Sequence, residues 1–576
     1  MTFDWSLGSE ASAWAASTAR LDDFRPLLPA EEEIVAKLRS GNFDKLGDGI
    51  LPVERSPERV VRAGFLRFLI LGGEAGCRPH EKGVLVRGAW IIDVLDLEAC
   101  RVFRDIGLND CHFEATPILR AAIINRLFLD GSRLPGLQAE RLEARGGIYL
   151  RGAEVEGTIN LDQARLGGNL QCDGAAIRSR GDYAVLGRSL EVRNVLLRGA
   201  TLRGGISLSG AVLAADLDIA GATVVAFERM ALDAGEMACH GSVALRSARI
   251  TGEVKLTTSE ISGDLDCSGT IVDNPGEAAI EASRVAVRGA FFLRREARLD
   301  GTLALTGASI GTIHDEAACW PKPGDLMLNR CRYGAFIDAP VDADSRLDWL
   351  ARQTPARWGE DFWPQPYEQL ATVFREMGYG EDAASVLAIK ERLQRRARRA
   401  RAGNPVWRAL LFVSDGILGI TVGYGRRPLF ALLWLAFFWL TGTAVFTYAE
   451  RQGAVMPNSA VVLRAPEWTL CGLQQDEQRP LLASGVSQGL AKPGQTQLAC
   501  FRERWEASSF PAFKPWAYSL DTLLPVLDMG QRSFWRPNPT KPGGRLATNY
   551  FYFQSVVGWA LSLLAVAGFS GLVKSS

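Results

Sequence analysis

Between residues 83 and 340 apolar side chains return every eleven residues, and no other feature limits the fold as tightly. Ile148-Tyr-Leu150-Arg-Gly-Ala153-Glu-Val155 is followed by Ile159-Asn-Leu161-Asp-Gln-Ala164-Arg-Leu166 and by Leu170-Gln-Cys172-Asp-Gly-Ala175-Ala-Ile177. The pattern is apolar-x-apolar-x-x-small-x-apolar, with Gly146, Gly147, Gly157, Gly167 and Gly168 at the seams. Spacings of two, three and two exclude a helical array, whose apolar residues recur at three and four. Alternation places every second residue on one face of a strand. The constant period stacks those residues on one another, coil after coil. The expected fold is mainly β: a parallel β-solenoid (β-helix, pentapeptide-repeat-like), four-sided, with two units per coil. About ten coils at roughly 4.8 Å each make a rod on the order of 50 Å long.

A slower period runs through the same region. Ile148, Val195, Val243 and Phe292 head equivalent stretches 47, 48 and 49 residues apart. The variable parts between them (178–190, 225–238 and 273–286) carry charge, Asn-Pro and Gly. If all three return to one side of the rod, that side is where binding is expected.

The flanks read as helix. Residues 1–82 form a helical N-terminal cap, which a solenoid needs to cover its first apolar coil. Ser56-Pro57-Glu58 opens a helix there, with Val60, Val61, Phe65, Phe68 and Leu69 buried and Gly72-Gly73 at its end. Residues 341–404 form a helical hairpin adaptor. Tyr367, Leu370, Ala371, Phe374 and Met377 mark one helix, Gly378-Tyr379-Gly380 a turn, and Ala383, Val386, Leu387 and Ile389 a second helix. That second helix ends in a basic cluster, Arg392, Arg395, Arg396, Arg398, Arg399 and Arg401, suited to a membrane surface.

Residues 405–428 read as an interfacial helix. Leu429 to Tyr448 is apolar and uncharged over the length that crosses a bilayer, and 550–573 is a second such segment. Arginines precede the first span and Lys574 follows the second, so both termini and the solenoid are expected in the cytoplasm, at a bacterial inner membrane. The 449–549 loop then faces the periplasm. Cys471 and Cys500 lie in it and are candidates for a disulfide. Asp521 and Asp528, in an apolar stretch of the loop, are candidate acids of a pore or of a membrane-surface segment.

Chemistry-bearing motifs are absent. Lys+Arg and Asp+Glu are both 65, which argues against nucleic acid as a partner. Four scattered histidines and ten cysteines without a C-x-x-C give no metal centre. Cys100, Cys111, Cys172 and Cys267 sit at inward positions of the repeat and read as small buried hydrophobes. No nucleotide-binding, zinc-protease or serine-hydrolase signature occurs, so no cofactor and no catalytic residues are assigned. His314-Asp315-Glu316 reads as a solvated loop cluster. Thr421-Val-Gly-Tyr-Gly425 matches the filter of potassium channels, but it precedes the first span beside Arg426-Arg427 and reads as a chance match. Met1 to Ala30 is mixed and acidic, unlike a signal peptide.

Several stretches resemble a family of large bacterial membrane proteins with solenoid repeats, often labelled membrane-associated oxidoreductase or pentapeptide-repeat-like. They are Leu265-Asp-Cys-Ser-Gly269, Ala290-Phe-Phe-Leu293, Gly301-Thr-Leu-Ala-Leu-Thr-Gly-Ala308, Gln365-Pro-Tyr-Glu-Gln-Leu-Ala371 and Leu520-Asp-Thr-Leu-Leu-Pro-Val-Leu-Asp-Met-Gly-Gln531. The resemblance covers most of residues 60–576. Its label implies a redox enzyme, while the residues carry no cofactor fingerprint. Three readings follow. One is a membrane-anchored scaffold or sensor that binds a protein partner on its cytoplasmic side. The second is a two-span pore, assembled as a homo-oligomer and gated by the solenoid. The third is a membrane-associated oxidoreductase. The partners expected are membrane lipid and an unidentified protein.

Overall fold

The computed structural model describes residues 19–401, 429–481, 485–524 and 526–569. The expected interfacial helix, and with it Thr421–Gly425, lies outside the described residues. The chain divides into two compact units, Met1–Leu387 and Ala388–Ser576.

The first unit is a parallel β-solenoid of about 12 turns. One coil is built from four short strands, Glu143–Ala144, Ile148–Tyr149, Glu154–Val155 and Ile159–Asn160, and the next opens at Arg165–Leu166. Four strands give four sides, and two eleven-residue units close the coil. Inward residues stack in one column: Leu127 lies opposite Ile148, Ile148 opposite Leu170, Leu170 opposite Val195, Val195 opposite Leu217 and Leu217 opposite Val243. All are buried. Where the small inward position is polar, its hydroxyl bonds a carbonyl of the preceding coil. Ser132 Oγ donates to Leu108 O at 2.7 Å and Thr270 Oγ1 to Leu245 O at 2.7 Å.

Corners repeat as strictly as the core. Two corners of each coil turn through a left-handed residue, for which Gly152, Gly174 and Gly199 (φ +63°, +65° and +62°) supply the freedom at one of them. Over four successive coils the residue just before it alternates in charge: Asp130, Arg151, Asp173 and Arg198. Asp130 pairs with Arg151 at 2.6 Å and Asp173 with Arg198 at 2.8 Å. The Arg198 guanidinium holds the Asp173 carboxyl below the usual carboxylate range. At another corner Glu98 pairs with Arg120, and Asp162 with Arg188. Each partly exposed pair contributes about 0–1 kcal/mol.

The register corrects one assignment. Leu265 lies opposite Phe291, so Phe291 is the inward residue and Phe292 points outward, where its ring lies 4.5 Å from that of His314. Two adjacent phenylalanines satisfy an apolar pattern equally well, and only the ladder chooses between them.

Both ends of the rod are interwoven with helices. Helix α1 is Pro29–Lys37 and α2 is Ala63–Ile70. Between them, Asp44–Lys45 pairs with Val86 and Arg87, and Val60–Arg62 pairs with Trp90–Ile92. The ladder thus begins inside the segment that reads as a helical cap, and this is one reason the coil count exceeds ten. Ser56-Pro57-Glu58 is not a helix start: Pro57–Arg59 is a turn, and Val60 and Val61 are strand. Their β-branched side chains extend the first coil. The buried Glu31 carboxylate receives the Arg62 Nε at 2.9 Å and the backbone N–H of Leu28 and Arg62, which ties α1 to that coil.

At the far end the last strand, Arg332–Phe336, is followed by α3 (Ala343–Ala351), α4 (Gln365–Glu376) and α5 (Gly380–Arg401). Gly378, at φ +92°, ends α4, and Tyr379 N bonds Phe374 O at 2.7 Å, so the expected turn at 378–380 is present. His314-Asp315-Glu316 is not a solvated loop. Asp315 closes the strand Ser309–Asp315 and is buried. Arg346 of α3 clasps it with two bonds of 2.6 and 2.8 Å, and Trp320 Nε1 donates to it at 2.8 Å. The guanidinium also bonds Pro340 O and lies 3.7 Å from the centre of the Phe336 ring. Sequence reading missed Arg346 because its partner is thirty-one residues away.

This clasp seals the last coil, and removing one partner leaves the other charge buried and unpaired. Arg346→Ala should lower stability by about 3–5 kcal/mol. Urea unfolding followed through the tryptophans around it is the check. Asp315→Leu combined with Arg346→Met, which removes both charges, should cost less than Arg346→Ala alone.

Candidate functional sites: a solenoid ridge and a three-helix bundle

Alternate coils of the rod carry extra residues, always on one face. Ile177 and Val185 pair with Leu202 and Ile206, so the strand Ala176–Leu186 carries an excursion that its neighbour lacks. The same happens in Thr223–Asp233 and Ile271–Glu281. These are the variable segments of the slower period, and all three lie in the same sheet. The intervening coils pass close beneath them. A Cβ on Gly252 (φ +121°) would meet Arg229 O at 2.5 Å, and one on Gly301 (φ +137°) would meet Asn274 O at 2.6 Å. Glycine is required at both places for want of space as well as for its backbone angle.

The excursions build a ridge. Arg229 of the second reaches over the intervening coil and pairs with Glu277 of the third at 2.9 Å. Asn274 Nδ2 closes the third excursion onto Ala278 O at 2.6 Å. Thr158 Oγ1 donates to Tyr183 O at 2.9 Å beneath the first. Phe227 stands on the crest with 59% of its surface exposed, between the exposed Val225 and Arg229. Arg180 and Asp182 of the first excursion and Glu228, next to Phe227 in the second, are exposed charges of the same ridge. In the valley, burial and then the neighbouring Glu281 hold the Glu253 carboxyl above its usual range. The ridge has no nucleophile–base pair; it is a shaped, mixed apolar and charged surface.

Most cysteines of this unit are withdrawn from solvent. Cys111, Cys172 and Cys267 are buried at inward positions, as their spacing implies, and Cys100 is half-buried. Burial pushes the Cys111 and Cys331 thiols up to about 12. Among the described residues no group of His, Cys, Asp and Glu could hold a metal ion.

The second unit holds α6 (Leu429–Arg451), α7 (Pro515–Leu523) and α8 (Gly544–Phe569). Each packs on the other two. Residues 452–481 and 485–514 fold beside them around Trp468, Phe501 and the bonded pair Cys471 and Cys500, whose Cα atoms are 5.6 Å apart. Among the described residues, 432–451 is the one helix long and apolar enough to cross a membrane, with mean hydropathy 1.5. Residues 570–573 of the second expected span lie outside the described residues.

The seam of this bundle combines apolar and polar groups. Beside the buried Phe446, Tyr518, Leu523 and Leu561, Gln554 is fully buried and donates to Ser519 Oγ at 2.9 Å and Phe438 O at 3.2 Å. Ser519 Oγ donates to Trp439 O at 2.9 Å, and Thr441 Oγ1 and Tyr550 Oη share a hydrogen bond of 2.7 Å. Its outer faces are apolar. Leu433 and Leu440 of α6 are 65% and 61% exposed, and Val556 and Leu563 of α8 are 71% and 62% exposed. The helices approach closely at glycines. A Cβ on Gly442 would meet Ser519 Oγ at 2.3 Å, and one on Gly558 would meet Leu523 O at 1.8 Å.

The two candidate acids have separate places. Asp521 is buried, and its oxygens accept the backbone N–H of Arg532 at 2.8 Å and of Met529 at 3.3 Å. Asp528 is exposed in the following turn and accepts the N–H of Gly530 at 2.9 Å. The basic cluster occupies the C-terminal part of α5, where Arg392, Arg396, Arg398 and Arg401 are exposed and Arg395 and Arg399 half-buried.

The seam glycines give a direct check. Gly558→Leu forces α8 away from the Leu523 carbonyl and should destabilise the bundle by roughly 1–3 kcal/mol. Thermal melting of the full chain in detergent measures it, and Val556→Leu on the outer face should have little effect. Compared with family models, curated proteins and solved structures, the chain matches none.

Proposed function

We propose that this protein is a membrane-anchored scaffold whose solenoid binds a protein partner along the ridge of excursions, in the cytoplasm. The observation that carries the reading is the confinement of all three variable segments to one sheet, where the second and third are joined through Arg229 and Glu277. A rod needs no such ornament for stability, since neighbouring coils close without it. An exposed aromatic followed by exposed charges of both signs, Glu228 and Arg229, is the composition of a protein-binding crest.

The anchor rests on the outer faces of the bundle. Large apolar side chains outside, with close glycine contacts and hydrogen-bonded polar groups in the seam, are what helices adopt when their solvent is hydrocarbon. In this reading α6 and α8 are the two spans, α7 is held between them, and the basic end of α5 meets the inner leaflet headgroups. The bonded Cys471 and Cys500 suit an oxidising compartment, while all eight thiols of the solenoid unit stay unpaired, as in a reducing one. The scaffold reading is preferred to a pore because Asp521, the more deeply placed candidate acid, spends both oxygens on backbone N–H groups.

The test is site-specific photo-crosslinking in cells. A photoreactive phenylalanine analogue replacing Phe227 should give a discrete protein adduct. The same analogue at Val212, exposed on the other sheet of the rod, should give none. Arg229→Ala should weaken the Phe227 adduct without changing the amount of folded protein, because an exposed ion pair is worth only about 0–1 kcal/mol. No adduct at Phe227, or equal adducts at both faces, contradicts the proposal.

A further inference from the structure

A cavity of about 660 Å³ opens where the strand pair Val455–Pro457 and Trp535–Pro537 meets the first turns of α8. Its rim carries two cations, Arg532 and Arg536, and no carboxylate lines it. Both arginines are exposed, and among the described residues neither side chain has an ion-pair partner. Elsewhere in this unit, Arg502 pairs with Glu450 at 2.8 Å and Lys492 with Glu503 at 3.4 Å. The floor and walls are apolar and aromatic, formed by Trp535, Phe551, Tyr552 and Met456.

The cavity continues into an apolar track. Tyr552, Val556, Trp559 and Leu563 are all more than half exposed and recur at four, three and four residues, which places them on one side of α8. A pair of unneutralised guanidinium groups at the head of an apolar track matches one kind of molecule: an amphiphile with an anionic head. Guanidinium forks bind phosphate oxygens by charge-assisted hydrogen bonds, and tyrosine and tryptophan favour the level where headgroup meets chain.

We propose that Arg532 and Arg536 bind the phosphate of an anionic phospholipid of the outer leaflet, with one acyl chain lying along Tyr552, Val556, Trp559 and Leu563. The site rests on the reading of α6 and α8 as spans, because only then does the track face lipid. In this position the lipid bridges the strand Val455–Pro457 and the top of α8, and it neutralises two guanidinium groups that make no ion pair among the described residues.

The test uses the full chain purified in detergent and native mass spectrometry with two lipids of identical chains, dioleoylphosphatidylglycerol and dioleoylphosphatidylcholine. The wild-type chain should retain one phosphatidylglycerol under activation that strips phosphatidylcholine. The combined Arg532→Gln and Arg536→Gln substitutions should lower that occupancy by about tenfold or more. Arg536→Lys should retain part of it, and the melting temperature without lipid should not change. Inorganic phosphate at millimolar concentration should not displace the lipid. Equal retention of the two lipids, undiminished binding in the double variant, or displacement by phosphate alone would each overturn the proposal. Failure of the underlying reading looks different: the chain would be released from membranes by alkaline carbonate. A chain that stays in the membrane while the double variant keeps its lipid refutes the site alone.

Discussion

Stacking of one coil on the next by parallel backbone hydrogen bonds is the constraint from which the rest of the solenoid unit follows. Each inward side chain must sit on the one a coil earlier, as Ile148 does on Leu127 and Leu170 on Ile148. Coil length can therefore change only where the added residues leave the ladder and return to it in register. The three excursions are insertions of that kind, made in alternate coils. The glycines beneath them, Gly252 and Gly301, are the local cost of bringing backbone over backbone. The same constraint makes the ends vulnerable, because an open coil presents unpaired strand edges. Glu31 with Arg62 at one end and Asp315 with Arg346 at the other fasten helices over those edges.

How much of this is legible in the sequence depends on the distance between cause and effect along the chain. The eleven-residue period is local and repeated, so it announces the parallel solenoid, its two units per coil and its inward cysteines. The slower period announces the excursions. What escapes is decided by contacts distant in sequence. Whether Phe291 or Phe292 points inward is set by Leu265, one coil earlier. Val60 and Val61 become strand because Trp90 and Ile91 offer them a partner. Asp315 looks like a solvated loop acid until Arg346 arrives from a helix that begins after the rod has ended. The left-handed corner residues include Gln163, Ser189 and Thr258, so composition alone does not mark every corner.

The second unit follows a different solvent logic. The solenoid buries its apolar residues and exposes its charges, whereas the bundle of α6, α7 and α8 buries Gln554, Ser519 and Asp521 and exposes leucine, valine and tryptophan. Sequence hydropathy finds α6 but gives no hint that Gly442, Ser519 and Gln554 converge, because they come from three separate helices. Nor does it place Arg532 and Arg536 beside Phe551 and Tyr552, a juxtaposition created by the turn after α7 and the strand Trp535–Pro537.

In the proposed topology the solenoid and the disulfide-bonded fold lie on opposite sides of a membrane, and cysteine accessibility in spheroplasts tests that proposal directly. Lys492→Cys lies on the exposed surface of the disulfide-bonded fold, and Arg180→Cys on the ridge. With a membrane-impermeant maleimide, the account predicts that position 492 is labelled in intact spheroplasts and that position 180 is labelled only after the membrane is opened. Labelling of position 180 in intact spheroplasts, or protection of position 492 until lysis, would contradict it.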